Sequence, residues 1–458
     1  MRGCNVLLIS TYELGRQPFG LASPAAWLRA QGAEVACLDL SQCKLNQDAV
    51  RAANLVAVYL PMHTATRIAV PVLRRVRELN PGAALCAYGL YAPLNAPLLR
   101  GLGVSGIFGG EFEPALAQLV RQMSADGHRP PPQTEPEISL ERLAFRVPDR
   151  SGLPALAQYA QLMLPDGTRR TAGYTEASRG CKHLCRHCPV VPVYDGKFRV
   201  VQREVVLEDI RRQVAAGAEH ITFGDPDFFN GVRHALELVR AVHGEFPRLS
   251  YDVTIKVEHL LQHAAHLPVL RDTGCALVTT AVESVDDRVL GLLDKGHTRA
   301  DFVRLAGLFR ELGLTLAPTF VAFTPWISLP GYLDLLDTIA ELGLVDNVPP
   351  VQLAIRLLIP AGSRLLELPE VQDIAGEFDE TALSYRWSHP DARVDGLQRE
   401  LERRIQALTS AGCDRRTIFE DAREITRRAL DGELSLPPLP APGPARATIP
   451  YLTEPWYC

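Results

Sequence analysis

Four short apolar runs near the N-terminus constrain the fold of this chain more than any other feature. They are NVLLIS (Asn5 to Ser10), EVACLDL (Glu34 to Leu40), NLVAVYL (Asn54 to Leu60) and AALCAYG (Ala83 to Gly89). Each is almost continuous, whereas a strand with one wet face alternates apolar and polar residues. Continuity is the pattern of parallel strands covered on both faces. Between the runs, around Ala22 to Ala33 and Ile68 to Leu79, apolar residues recur with helical period. The alternation predicts a doubly wound, Rossmann-like α/β domain over residues 1–123.

A polar stretch from Ser124 to Pro136, SADGHRPPPQTEP, then breaks all periodicity. Consecutive prolines fix φ and lack donors, so residues 124–170 read as a linker. A second βα series follows over 171–365. Its expected strands lie near Ala172 to Ser178, His220 to Gly224, Ser250 to Lys256, Ala276 to Ala281, Leu314 to Phe323 and Val351 to Leu358, with helical patterns such as Leu207 to Ala216 and Arg299 to Leu312 between them. Six such units predict a partial (β/α)6 barrel, and barrels carry their chemistry at the C-terminal ends of the strands. Residues 366–435 read as a helical region, with charge-paired segments Asp395 to Leu408 and Arg415 to Leu430. From residue 436 the composition is that of a proline-rich linker ending in YLTEPWYC.

Charge narrows the function. The 48 Lys and Arg residues are spread along a chain of net charge -5, which leaves no basic stripe and so no electrostatic footprint for nucleic acid. A small-molecule substrate is expected. The start MRGCNVLLIS is too short in its apolar part for a signal sequence, and no stretch reaches the ~18 apolar residues of a membrane span. A cytoplasmic protein without membrane association is the expectation. Ten cysteines in such a chain are not a disulfide framework, which turns attention to metal ligands.

Three of them stand together in SRGCKHLCRHCPV: Cys181, Cys185 and Cys188, spaced C-x3-C-x2-C just after the first strand of the second series. Three thiolates can ligate three irons of a cubane and leave the fourth without a protein ligand. An amino acid's amine and carboxylate can chelate that open iron. Zinc is the alternative, with His183 or His187 near enough to complete a set. Inert core cysteines would occupy apolar periodic positions, whereas these sit among Arg, Lys and His.

This spacing, following the first strand of a βα series, resembles the radical SAM superfamily, and the preceding domain resembles the cobalamin-binding-type domain fused to many of its members. The resemblance implies a 4Fe-4S cluster on Cys181, Cys185 and Cys188, S-adenosylmethionine as co-substrate, and a reduced flavodoxin or ferredoxin-type electron donor. In ITFGDPDFF it implies that Gly224, Asp225 and Pro226 receive the methionine amino group, with Asp225 as acceptor. In AVES it implies that Glu283 and Ser284 lie near the ribose. Lys256 is assigned to the methionine carboxylate, against a mutual ion pair as the plainer reading. His187 stands where an aromatic residue stacks near the adenine. Arg356 interrupts an apolar strand and so requires an anion, either a protein carboxylate or a bound group.

Cobalamin domains with a lower histidine ligand carry D-x-H-x-x-G after the first strand. Here the segment reads STYELGRQPFG, which argues against histidine ligation. VYLPMHTAT around His63 and GIFGGEFEP around Gly109 to Glu111 still resemble that fold. The C-terminus resembles a radical SAM family named for a Cys-selenocysteine-Ala-Glu-Pro or Cys-Cys-Ala-Glu-Pro tail, with Cys458 at the first cysteine of that tail. The resemblance implies a thiol or selenol at Cys458 that joins the chemistry. The expected function is reductive cleavage of S-adenosylmethionine to start radical chemistry on a small molecule. The alternatives are a cobalamin-dependent radical SAM methyltransferase and, in another class, a non-catalytic zinc-binding or regulatory protein.

Overall fold

The computed structural model describes residues 4–126, 133–432 and 448–454. The N-terminal strands are β1 (Asn5–Ser10), β2 (Glu34–Asp39), β3 (Leu55–Tyr59), β4 (Ala84–Tyr88), β5 (Gly106–Gly110) and β6 (Glu137–Ser139). They form one parallel sheet in the order β2-β1-β3-β4-β5-β6. Adjacent residues of a strand enter opposite cores. Leu8, Leu55 and Ala57 pack with the helices Phe19–Arg29 and Glu113–Asp126, while Leu7, Ile9, Val56 and Val58 pack with the helix His63–Leu79. That two-sided burial is the physical cause of the continuous apolar runs. The strand order reverses between β1 and β3, and the C-terminal ends of those strands are where such sheets open a crevice.

The second sheet begins with β7 (Gln161–Met163) and β8 (Arg169–Thr175), beside the short pair β9 (Ser178–Gly180) and β10 (Phe198–Val200). It continues through β11 (His220–Phe223), β12 (Ser250–Thr254), β13 (Cys275–Glu283) and β14 (Leu316–Phe320). Strands β8, β11, β12, β13 and β14 are parallel and curl into a half-barrel. Its outer face is covered by the helices Arg203–Ala215, Val232–Glu245, Arg299–Leu312 and Leu329–Glu341, which bury Ile210, Leu238, Phe302 and Leu336 in the largest core. The expected sixth strand reduces to one bridge, Phe323 to Arg356. Pro349 and Pro350 lack the N–H groups a ladder needs, and Pro350–Leu353 forms a 3-10 turn instead.

The segment read from sequence as a linker supplies structure to both sheets, β6 to the first and β7 to the second. The C-terminal region contains a hairpin, β15 (Ala375–Asp379) and β16 (Ser384–Trp387), ahead of the helices Ala392–Ser410 and Arg415–Asp431. A buried Arg404–Asp421 pair, 2.6 Å apart, joins the two helices. The last described strand, β17 (Tyr451–Leu452), pairs antiparallel with β7 at the sheet edge, and Glu454 accepts a hydrogen bond from Tyr12 in the loop after β1. Among the described residues no helix is long and apolar enough to cross a membrane.

Arg179 on β9 fastens the two sheets together. Its guanidinium lies 3.1 Å from Glu111, just after β5, 2.7 Å from Glu113, which begins the helix Glu113–Asp126, and 2.7 Å from Glu176. All of these side chains are buried or nearly so. Removing the single cation would strand three carboxylates in a dry interface, where an uncompensated charge costs roughly 3–5 kcal/mol.

Candidate functional site

The cysteine loop leaves β9 and returns as β10, so its two ends are fixed by the pairing of Ser178, Arg179 and Gly180 with Val200, Arg199 and Phe198. Gly180 makes the turn possible. Its φ is +73°, and a Cβ there would lie 2.3 Å from the Tyr194 ring. Asn230 holds the start of the loop, donating to Gly180 O at 3.2 Å and accepting from the Lys182 N–H at 3.2 Å. The far side is fixed by Arg186, whose backbone N–H donates to Leu293 O at 3.0 Å. Cys181 and Cys185 are free thiols, Cys185 is buried, and the Cys188 N–H donates to Cys185 O. Cys181 and Cys188 pack against Val190, Val193 and Tyr194. Burial pushes the Cys181 thiol up to about 11, so holding it as a thiolate calls for a cation at the loop. The three sulfurs and their anchored loop fit the cuboidal iron cluster expected from their spacing.

Two polar clusters flank this loop. On one side Glu283 accepts from Lys295 Nζ at 3.2 Å, and His187 Nε2 lies 3.1 Å from the same oxygen. Burial alone would raise the Glu283 carboxyl, but Lys295 and His187 hold it at about 2. Glu283 has φ +69° where β13 shifts register against β14. A left-handed glutamate of this kind stores strain that its surroundings must overcome. His297 is nearby in charge, lowered to about 4 by burial and by Lys295 and Lys256.

On the other side Lys256 Nζ lies 3.0 Å from Glu258 and 3.1 Å from His183 Nδ1. His183 Nε2 is 3.5 Å from Asp227 and faces His259.

The sequence-predicted residues fall into two groups. Lys256, Glu283 and Ser284 stand at strand ends around the cysteine loop, which itself carries His187, and Ser284 caps the turn into the next helix by accepting the Asp286 N–H at 3.1 Å. Asp225 does not present a free carboxylate for an ammonium group. Its Oδ2 accepts the Ala177 N–H at 2.9 Å and its Oδ1 accepts the Ser178 hydroxyl at 2.5 Å, and burial raises it to about 7. Gly224 and Pro226 line the space between the two sheets, where a Cβ on Gly224 would meet Tyr174 Oη at 1.8 Å. Arg356 has a protein anion. It lies 2.6 Å from Asp395 and its guanidinium stacks 3.4 Å from the Trp387 ring centroid, outside both clusters. Cys458 lies outside the described residues. Sequence reasoning missed Lys295, His297, Asp227, His259 and Asn230, although Lys295 and His297 stand in the quoted DKGHT segment.

The N-terminal crevice is small and lined by aromatic rings. The space between the sheets is about 180 Å³, lined by Phe19, Tyr59, Phe112, Tyr174, Arg179 and Tyr194 among others. Tyr59, Tyr88 and Phe112 fill the strand ends, with ring centroids 4.9 to 6.0 Å apart. Tyr59 lies so close to the helix Phe19–Arg29 that a Cβ on Gly20 would be 2.0 Å from its ring. Ordinary ligand pockets span roughly 300–1,000 Å³, and a corrin with its nucleotide tail exceeds a drug-sized ligand. In this arrangement the residues do not fit cobalamin. His63 begins its helix and contacts Ala382 O at 2.6 Å, on the hairpin side.

Residues 175–324 match the family model of the Radical SAM superfamily. With the triad on its loop and the half-barrel around it, these residues belong to the radical SAM superfamily. That membership implies a 4Fe-4S cluster and S-adenosylmethionine. A hopanoid C-3 methylase of Methylococcus capsulatus is 26% identical over 160 residues, 35% of this chain and 30% of that protein. A tRNA-2-methylthio-N(6)-dimethylallyladenosine synthase of Chlorobium phaeobacteroides is 27% identical over 161 residues, 33% of this chain and 35% of that protein. The chain thus spans about a third of the length of the curated relatives it matches. Among solved structures, the cobalamin-dependent radical enzyme OxsB with aqua-cobalamin and S-adenosylmethionine bound superposes with TM-score 0.70 at 13% identity, covering 94% of this chain and 71% of that one. The methyltransferase TsrM from Kitasatospora setae gives 0.58 at 20% identity, over 74% and 71%. Both likenesses concern the fold, an N-terminal Rossmann-like domain ahead of a radical SAM half-barrel.

Proposed function

We propose that this enzyme reductively cleaves S-adenosylmethionine at a cluster held by Cys181, Cys185 and Cys188, to begin radical chemistry on a small molecule. The observation that carries the reading is the anchored loop that gathers three cysteines at the mouth of the half-barrel. When bound, the cluster supplies the electron that breaks a carbon–sulfur bond of the sulfonium. The protein's own residues bind and exclude water. Lys256 offers an ammonium to a carboxylate once released from Glu258. Glu283, kept ionised by Lys295, offers an acceptor to hydroxyl groups, and His187 closes the site against solvent beside Cys188.

The test is anaerobic reconstitution with iron and sulfide, followed by dithionite and S-adenosylmethionine. About four irons per chain and 5'-deoxyadenosine from wild type, both lost in Cys185→Ala, are expected. Stoichiometric zinc without cleavage would show the cysteines to be a zinc site. A fragment other than 5'-deoxyadenosine would keep the cluster and change the bond that breaks.

A second reading, a cobalamin-dependent methyltransferase, is favoured by the likeness to OxsB and TsrM and opposed by the aromatic filling of the N-terminal crevice. Incubation with hydroxocobalamin and gel filtration separates the two. The first reading expects no retained cobalamin, and stoichiometric retention favours the second. A role for Cys458 remains part of the proposal through the tail resemblance alone, tested by comparing cleavage products of wild type and Cys458→Ser.

A further inference from the structure

We propose that His183, Asp227 and His259 form a second metal site, separate from the three cysteines, that takes a divalent cation of the zinc, iron(II) or cobalt(II) type. The three residues come from different segments: the cysteine loop, the turn after β11, and the helix Val257–Gln262 after β12. One ligand atom of each lies within 4.8 Å of the others. His183 Nε2 is 3.5 Å from His259 Nδ1 and 3.5 Å from Asp227 Oδ2, and His259 Nδ1 is 2.7 Å from that oxygen.

A tetrahedral ion with ligand bonds of ~2.0–2.1 Å spaces its donors ~3.3–3.4 Å apart. Two of the three separations are already close to that spacing, and the third opens by roughly 0.6–0.7 Å. The side chains of Asp227 and His259 are almost wholly buried.

The polar bookkeeping of Asp227 supplies the second observation. Its Oδ1 accepts the Phe229 N–H at 3.0 Å, which fixes the carboxylate plane and leaves the buried Oδ2 facing the two imidazoles, 2.7 Å from His259 Nδ1 and 3.5 Å from His183 Nε2. That oxygen is aimed at two imidazoles whose nitrogens face each other, His183 Nε2 being 3.2 Å from His259 Nε2. Two imidazole nitrogens and a carboxylate oxygen that converge in a buried space are a good donor set for a cation.

Behind His183, Glu258 Oε2 stands 3.6 Å from Nδ1. With the metal on Nε2 the proton sits on Nδ1 and points at that carboxylate, and Lys256 turns to Glu258 alone. An outer carboxylate that orients a ligating histidine is the usual support of such sites. Three protein ligands leave one position open for water or a substrate donor atom, next to the cysteine loop.

The site is tested on the full chain by metal analysis. Protein reconstituted with iron and sulfide is equilibrated with Zn2+, desalted, and assayed for iron and zinc separately. Wild type is expected to hold about one zinc beyond its iron. Asp227→Asn and His259→Gln, each checked for unchanged iron content and thermal transition, are expected to bind zinc at least tenfold more weakly. Should one variant not fold, the other and His183→Gln carry the comparison. Cys185→Ala is expected to lose iron and keep zinc, which separates this proposal from the cluster reading.

Zinc retained by Asp227→Asn and His259→Gln but lost in Cys185→Ala would overturn the proposal and place the ion on the cysteines. So would wild type without zinc. Excess S-adenosylmethionine leaves the zinc in place if the site is as proposed. Displacement would overturn it and assign Asp227 Oδ2 to the methionine ammonium.

Discussion

Lys295 and Glu283 form a buried ion pair, Nζ to Oε1 at 3.2 Å, whose cation also acts on Cys185 and Cys188. The pair is therefore both a stabilising contact and a fixed positive charge beside the cluster loop.

Replacing Lys295 by Met leaves Glu283 with His187 alone and is expected to destabilise the fold by about 3 kcal/mol, since breaking a buried pair strands its partner. Glu283 is depressed in the folded state, from 4.5 to about 2. Its contribution is present above pH 4.5 and is lost as pH falls toward 2. Urea melts of wild type should therefore weaken through that window, and those of Lys295→Met should weaken much less. In the reconstituted enzyme the same substitution removes a positive charge from the cluster's surroundings. The midpoint potential is expected to fall by on the order of 50–100 mV, read by electron paramagnetic resonance during a redox titration.

Glu111 behaves in the opposite sense. Burial raises it from 4.5 to about 7 despite Arg179. Between those values the folded protein keeps a proton that the unfolded chain has released, so the stability from this group falls as pH rises through the window. Glu111→Gln imitates the protonated acid. It is expected to melt like wild type at pH 5 and to be more stable by about 1–3 kcal/mol at pH 8.

Gly224→Ala places a methyl group 1.8 Å from Tyr174 Oη, inside a buried region. The ring must move, and overpacking of this kind costs typically 1–3 kcal/mol. Chemical denaturation should show that loss, and Tyr174→Leu in the same chain should recover part of it by vacating the space.

Thr453→Pro removes the N–H that donates to Gln161 O at 2.9 Å and the hydroxyl that accepts from the Gln161 N–H at 3.0 Å. With each bond contributing about 1 kcal/mol, the Gln161 amide is expected to exchange with solvent roughly five- to tenfold faster. Amide exchange by mass spectrometry checks this, and β11 and β12 should be unaffected.

The sheets were legible where burial leaves a mark on composition. Leu7 and Leu8 enter opposite cores, and a strand of such residues has to read as continuous. β6 carries no such mark, because Glu137 and Ile138 are exposed and only three residues pair. The expected sixth barrel strand shows the reverse error. Val351 to Leu358 is apolar enough, but Pro349 and Pro350 start it as a turn.

Within the site, the cysteines are neighbours in sequence and could be read as a set. His183, Asp227 and His259 meet only because β11 and β12 lie side by side, so no local pattern joins them. Arg356 was legible as a cation needing an anion, while its partner Asp395 lies on a C-terminal helix that nothing near Arg356 announces.

The pairing of β17 with β7 joins residues that are 292 positions apart, as in the Gln161–Thr453 contact. During synthesis β7 is made well before β17, and its outer edge stays open until that distant strand arrives. An open edge of this kind templates pairing with other chains. The late strand therefore acts as a closing clasp, and the interval before it arrives is when a nascent copy is most exposed to misassociation.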